Sequence, residues 1–208
     1  MNKYTALVLF AMASHVLLRA ETLAAPDVII PPYAAWTVDI TYRDTGQTPS
    51  AKTPAQPKRT RIEATRTGDI TRYYTTWTNG RTTEDWTTSL FVFWQNETSG
   101  QAVIVRQDDP AAHYSPVDQS CFGWMHSGQF KIDREGYQGK DCIHVRSDNT
   151  QAWVETKTQL PVAFDDSAAL YYFSFQKPPT APLSLPPKYQ ALLDRYISSR
   201  TAPKRAGY

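Results

Sequence analysis

Three adjacent acidic pairs, four histidines and two cysteines are the side chains in this sequence best equipped for chemistry. The acidic pairs are Glu84-Asp85, Asp108-Asp109 and Asp165-Asp166. Two carboxylates facing each other across a cleft can serve a glycosidase as acid and base, or share a calcium ion. Each pair falls at an expected turn or strand end, so solvated turn carboxylates are the plainer reading. His15, His113, His126 and His144 have neither the His-x-x-x-His nor the His-Glu-x-x-His spacing of a zinc site. Ser120 is not in a Gly-x-Ser-x-Gly elbow, and no base stands with it. Gly-rich phosphate loops and Cys-x-x-Cys pairs are absent, and Asn96-Glu97-Thr98 matters only as a glycosylation acceptor. The expectation is a protein without catalytic residues, metal site or cofactor. An envelope-polymer hydrolase working through the acidic pairs is the least favoured alternative.

Cys121 and Cys142 are the only cysteines. In an exported chain such a pair reads as a disulfide, with two separately buried thiols as the alternative. Export is the expectation because a basic start, Met1-Asn2-Lys3, leads into an apolar run that ends near Leu18 and Arg19. The run is short and interrupted by His15, which suits a cleaved signal peptide over residues 1–24 better than a permanent anchor. Neither cysteine lies near the cleavage region, so a lipid anchor is not expected. Residues 25–208 then suit one domain, periplasmic or secreted. The net charge of +2 is dispersed, with only a mild basic cluster at Lys58, Arg59 and Arg61, and this argues against a nucleic-acid partner.

The elements that must position these residues are mostly strands. Residues 36–42 alternate apolar and polar strictly, putting Trp36, Val38 and Ile40 on one face. Thr-, Tyr- and Ile-rich runs over 59–67, 70–77 and 81–86 are separated by Gly68-Asp69 and Asn79-Gly80, which predicts a meander with an Asn-Gly hairpin. Residues 90–94 are apolar on both faces and need cover on both, and 101–106 run back. Residues 108–121 read as irregular. Strands over 129–133 and 141–146 are expected to turn across Glu135-Gly136, followed by strands over 152–155, 160–164 and 170–176. One amphipathic helix is predicted over 187–199, with Pro187 in its first turn and Tyr189, Leu192, Leu193, Tyr196 and Ile197 on one stripe. Residues 44–57 are expected to be an exposed loop.

Six Trp, twelve Tyr and eight Phe are many for 208 residues. They either fill the core or line an apolar ligand cavity. Trp36, Val38, Ile40, Phe91, Phe93, Trp94, Tyr171 and Phe173 are the candidates for such a cavity.

The run Trp153-Val154-Glu155-Thr156-Lys157-Thr158-Gln159-Leu160-Pro161 resembles the Trp-Ile-Asp-x-x-Thr-x-Leu-Pro hairpin of the LolA-like superfamily. That group includes periplasmic lipoprotein carriers, sigma-factor regulators and lipid-binding lipoproteins. Gly123-Trp124, Gly139-Lys140-Asp141-Cys142 and Leu183-Ser184-Leu185-Pro186-Pro187 extend a likeness to exported bacterial proteins over residues 120–197. The resemblance implies a mainly β domain: a single curved antiparallel sheet or unclosed barrel with a C-terminal helix. It also implies non-catalytic binding of a hydrophobic ligand, a lipid or a lipoprotein acyl chain, in the periplasm. Pro26, Pro31 and Pro32 discourage the helix that precedes the first strand in such carriers. The alternative is a cell-envelope interaction module with a filled core and no ligand.

Overall fold

The computed structural model describes residues 23–43, 56–109 and 117–201. Residues 1–22 of the expected leader, His15 among them, His113 and most of the 44–57 loop lie outside the described residues. The fold is mainly β: a single antiparallel sheet of eleven strands, not closed into a barrel, with a C-terminal helix. The strands are β1 (Tyr33–Tyr42), β2 (Arg59–Thr67), β3 (Ile70–Trp77), β4 (Thr82–Thr87), β5 (Phe91–Gln95) and β6 (Ala102–Arg106) in the first half. After a 3₁₀ helix (Gln119–His126) come β7 (Lys131–Tyr137), β8 (Lys140–Arg146), β9 (Gln151–Glu155), β10 (Pro161–Asp165), β11 (Ala169–Gln176) and α1 (Pro187–Thr201). Their order across the sheet is β6-β5-β4-β3-β2-β1-β11-β10-β9-β8-β7. Two meanders thus spread from the central β1–β11 pair and end on the edge strands β6 and β7.

Directly paired residues share a face, so the register sorts the side chains. Trp36 pairs with Ala64, Ala64 with Tyr73, and on the other side Trp36 faces Phe175. Val38 pairs with Ile62 and Phe173, and Ile40 with Tyr171. This inner face carries the main core, and the 3₁₀ helix lies against it. Phe122 and Met125 are 2% and 0% exposed, and Phe122 meets Phe164 and Phe173 with ring centroids 5.6 and 5.7 Å apart. Asp118 caps this helix by accepting from Ser120 N (2.8 Å), and its other oxygen accepts from the Tyr73 hydroxyl (3.1 Å). Arg66 lies 3.7 Å from Asp118, donates to Thr71 Oγ1 (3.1 Å) and has its guanidinium 5.5 Å from the Trp36 ring centroid. A buried charge is tolerable only when paired and hydrogen-bonded in this way.

The opposite face holds two smaller clusters. Over β4–β6, Trp86 and Phe93 pack beneath Tyr189 of α1, and Phe91 meets Tyr196 edge-on at 5.1 Å. Tyr189 is 2% exposed whereas Ile197, on the predicted stripe, is 49% exposed, so the contact of α1 runs through Tyr189, Leu193 and Tyr196 and leaves Ile197 half in solvent. Over β7–β10, Trp153 is stacked between Tyr137 (4.4 Å) and His144 (4.5 Å). The recognisable hairpin therefore supplies a packing anchor, with Pro161 opening the return strand as its missing N–H allows.

Several expectations need correction. The 108–121 stretch ends in the 3₁₀ helix, which no periodic pattern announces. Strand β7 runs through Gly136, and the turn falls at Gln138-Gly139, both at positive φ (50° and 76°), the pattern of a tight type I′ hairpin. At Asn79-Gly80 only Gly80 has positive φ (77°), and the loop is longer than a two-residue hairpin, closed by Trp77 N donating to Arg81 O (2.9 Å). The Cys121–Cys142 bridge does not form. Cys121 lies on the 3₁₀ helix against the inner-face core, whereas Cys142 belongs to the Trp153 cluster on the other face, and the sheet separates them.

Candidate binding cleft

The acidic pairs do not converge. Asp165 is salt-bridged to Arg43, and Asp166 accepts from Ala168 N (3.0 Å), Ala169 N (2.8 Å) and the Tyr171 hydroxyl (3.0 Å), closing a turn. Asp108 pairs with Arg106 at 2.7 Å in solvent. The two described histidines are structural in the same sense: His144 stacks on Trp153 on the outer face beside Glu135 (2.6 Å), and His126 lies 3.5 Å from Asp27 on the surface. Burial pushes the Cys121 thiol up to about 11 and raises that of Cys142, the opposite of what activates a nucleophile. Among the described residues no three His, Cys, Asp or Glu side chains are placed to hold a metal.

Glu84-Asp85 is the exception, because a break in the sheet places it. Strand β4 pairs with β3 along its whole length but with β5 only at Trp86–Phe93 and Thr87–Val92. Beyond that point β4 and β5 diverge. From Thr82 to Asp85 the side of β4 toward β5 has no strand partner, and Trp94 and Gln95 are paired only with β6. A cavity of about 840 Å³ occupies the fork, within the range that takes a specific ligand. Thr83, Asp85 and Trp94 line it from the inner-face side, and Lys188 and Tyr189 of α1 bound it from the other.

Two cations at this fork are already engaged. Arg81 is salt-bridged to Glu97 and lies 4.9 Å from the Trp77 ring centroid, whose indole donates to Thr83 Oγ1 (3.1 Å). Lys188 donates to Gln95 Oε1 (3.2 Å). Glu84 and Asp85, by contrast, make no hydrogen bond or contact ion pair among the described residues. Burial pushes the Asp85 carboxyl up to about 6, only partly opposed by the charge of Arg59, and Glu84 and Glu97 add to the rise. The Tyr189 hydroxyl is pushed up to about 12, first by burial and then by Asp85 and Glu84.

The eight side chains expected to line a cavity are distributed over three places. Trp36, Val38, Ile40, Tyr171 and Phe173 are on the inner face, packed with the 3₁₀ helix, and Ile40 and Tyr171 also border a space of about 420 Å³ beside Cys121. Phe91 and Phe93 lie beneath α1. Only Trp94 reaches the fork. The fork itself left no mark in the sequence beyond an acidic pair inside a Thr-rich strand.

No protein-family model matches the chain, and no curated protein matches it. A LolA superfamily protein of Nitrosomonas europaea is similar in structure at 10% identity and a TM-score of 0.34, over 78% of this chain and 91% of that one. No helix among the described residues is long and apolar enough to cross a membrane.

Proposed function

We propose that the protein is a non-catalytic interaction module of the cell envelope, exported by the leader over residues 1–24. It takes a segment of a partner polypeptide in the β4/β5 fork and keeps its own interior filled. The observation that carries this reading is the seating of Phe122 and Met125, 2% and 0% exposed, against the inner face where an acyl chain would otherwise lie. An unpaired strand edge offers a partner main-chain hydrogen bonds without any moving part. The absence of converging carboxylates or an activated nucleophile among the described residues favours binding over chemistry.

A second reading, carriage of a lipid or a lipoprotein acyl chain, is favoured by the apolar and aromatic part of the lining of the 420 Å³ space, Ile40, Tyr42, Val117, Phe164 and Tyr171, which Lys58, Arg59 and Asp166 complete. Native mass spectrometry of the protein from its own cells separates the two. The interaction reading expects the bare polypeptide mass. A stoichiometric lipid adduct would replace it with the carrier.

A further inference from the structure

A second cavity, of about 580 Å³ and sharing no lining residue with the fork, opens on the inner face where β2 and β4 end and β3 and β5 begin. Ile29 and Ile30 and the start of the 3₁₀ helix close its other side. Thr71 and Thr87 are paired across β3 and β4 and both line it, at 2% and 6% exposure. The Thr87 hydroxyl makes no hydrogen bond among the described residues. That of Thr71 accepts from Arg66 Nε (3.1 Å) and donates to none of them. Buried hydroxyls are ordinarily bonded, so a pair left open toward a cavity marks groups that a ligand completes. Arg66 stands beside them with donors to spare. Its terminal nitrogens lie 3.4 Å from Ile30 O, 3.5 Å from Gln119 Oε1 and 3.7 Å from Asp118, long for hydrogen bonds. Both Asp118 oxygens are already taken, by Ser120 N and the Tyr73 hydroxyl.

Charge and shape narrow the ligand. Arg66 and Asp118 balance, and the other charge among the described lining residues is Asp69, exposed at the rim, so an anion finds no surplus positive charge. No aromatic ring lines the cavity to stack on a base. The strands at its wall are paired, Thr71 with Thr87 and Thr87 with Val92, so an added strand has no edge there. Buried Ile30 and Val92 place an apolar surface beside the hydroxyls. A sugar ring matches this combination, with hydroxyls that donate and accept at once and an apolar C–H face. We propose that this cavity binds a neutral saccharide unit of one or two rings, whose hydroxyls complete those of Thr71 and Thr87 and accept from the terminal N–H groups of Arg66. The site is independent of the fork. In the free protein Thr87 costs stability, because a buried hydroxyl without a partner is worse placed than a methyl group.

The test is amide NMR of the purified full chain titrated with maltose, cellobiose and N,N′-diacetylchitobiose, with inorganic phosphate as the charged probe. At least one disaccharide is expected to give saturable shifts centred on Thr71, Thr87 and Gln119. Thr87→Val is expected to weaken that binding about fivefold or more and, in the free protein, to raise the Tm. A merely structural Thr87 predicts the reverse: a lower Tm, or an unchanged affinity for the sugar, overturns the assignment. Tighter binding of phosphate than of every disaccharide overturns a neutral ligand, and no saturable shift from any of the three sugars overturns the site. Each of these failures leaves the polypeptide reading of the fork in place.

Discussion

Asp85→Asn is predicted to stabilise the protein at neutral pH, the reverse of what most substitutions in a half-buried position do. The Asp85 carboxyl is raised from 3.8 to about 6, chiefly by burial. Its protonated form is therefore the one the folded state prefers. The cost of ionisation is absent below the unfolded value near 4, grows as pH rises, and is complete above about 6. A rise of about two units corresponds to about 3 kcal/mol. The charges facing the group set the net figure: Arg59 from β2 favours ionisation, while Glu84 beside it and Glu97 across the fork oppose it. That rise is already net of the attraction of Arg59, and with a discount for the part of the carboxyl that stays in solvent a gain of about 1–3 kcal/mol at pH 8 is expected, or a Tm higher by roughly 3–10 °C. At pH 4 the gain should vanish. Urea unfolding of both proteins at the two pH values measures this, and neutral Glu84→Gln serves as a control for charge alone. Destabilisation at pH 8, or a difference that does not change with pH, would refute the reasoning, because it would mean that Asp85 is satisfied within the fold and has nothing to offer a partner.

Other outcomes follow from the packing. Phe122→Ala should destabilise by about 3–5 kcal/mol in chemical unfolding, since it empties the contact with Phe164 and Phe173. A loss below about 1 kcal/mol would show that the 3₁₀ helix is loosely seated. Gly139→Ala should cost about 1 kcal/mol or more, because Gly139 sits at φ 76° in the β7–β8 turn. Thiol titration in denaturant without reductant should find two reactive groups per chain, and reductant should leave Tm unchanged, because Cys121 and Cys142 lie on opposite faces of the sheet.

Much of the fold was legible because strands of this kind advertise themselves. The period-two runs at Trp36-Val38-Ile40 and Tyr171-Phe173-Phe175 correspond to paired inner-face positions of β1 and β11. The stripe on α1 was equally plain at its start, where Tyr189 is buried against Phe93 with ring centroids 5.6 Å apart. What could not be read depends on which strands meet. Phe91 and Phe93 look like cavity residues until the register puts them on the face that α1 covers. The Cys121-Phe122-Gly123-Trp124-Met125 run has neither helical nor strand periodicity, yet it fills the interior, because a short 3₁₀ turn gains its stability from the surface it docks on. The fork is a place where pairing stops, and the β4 sequence Thr-Thr-Glu-Asp-Trp-Thr pairs as well as any other on its β3 side. The Glu84-Asp85 pair was visible, but only the divergence of β5 separates it from an ordinary solvated pair.

Backbone amide NMR during titration with an extended threonine- and valine-rich heptapeptide tests the central claim, that the fork takes a polypeptide segment, most directly. The account predicts shifts confined to Thr82–Asp85 of β4, the Trp94 to Gly100 turn and Lys188-Tyr189, with Val38, Phe122 and Met125 unmoved. Shifts centred on Phe122, Met125 and the inner face would contradict it, and would mean that the interior opens to take the ligand.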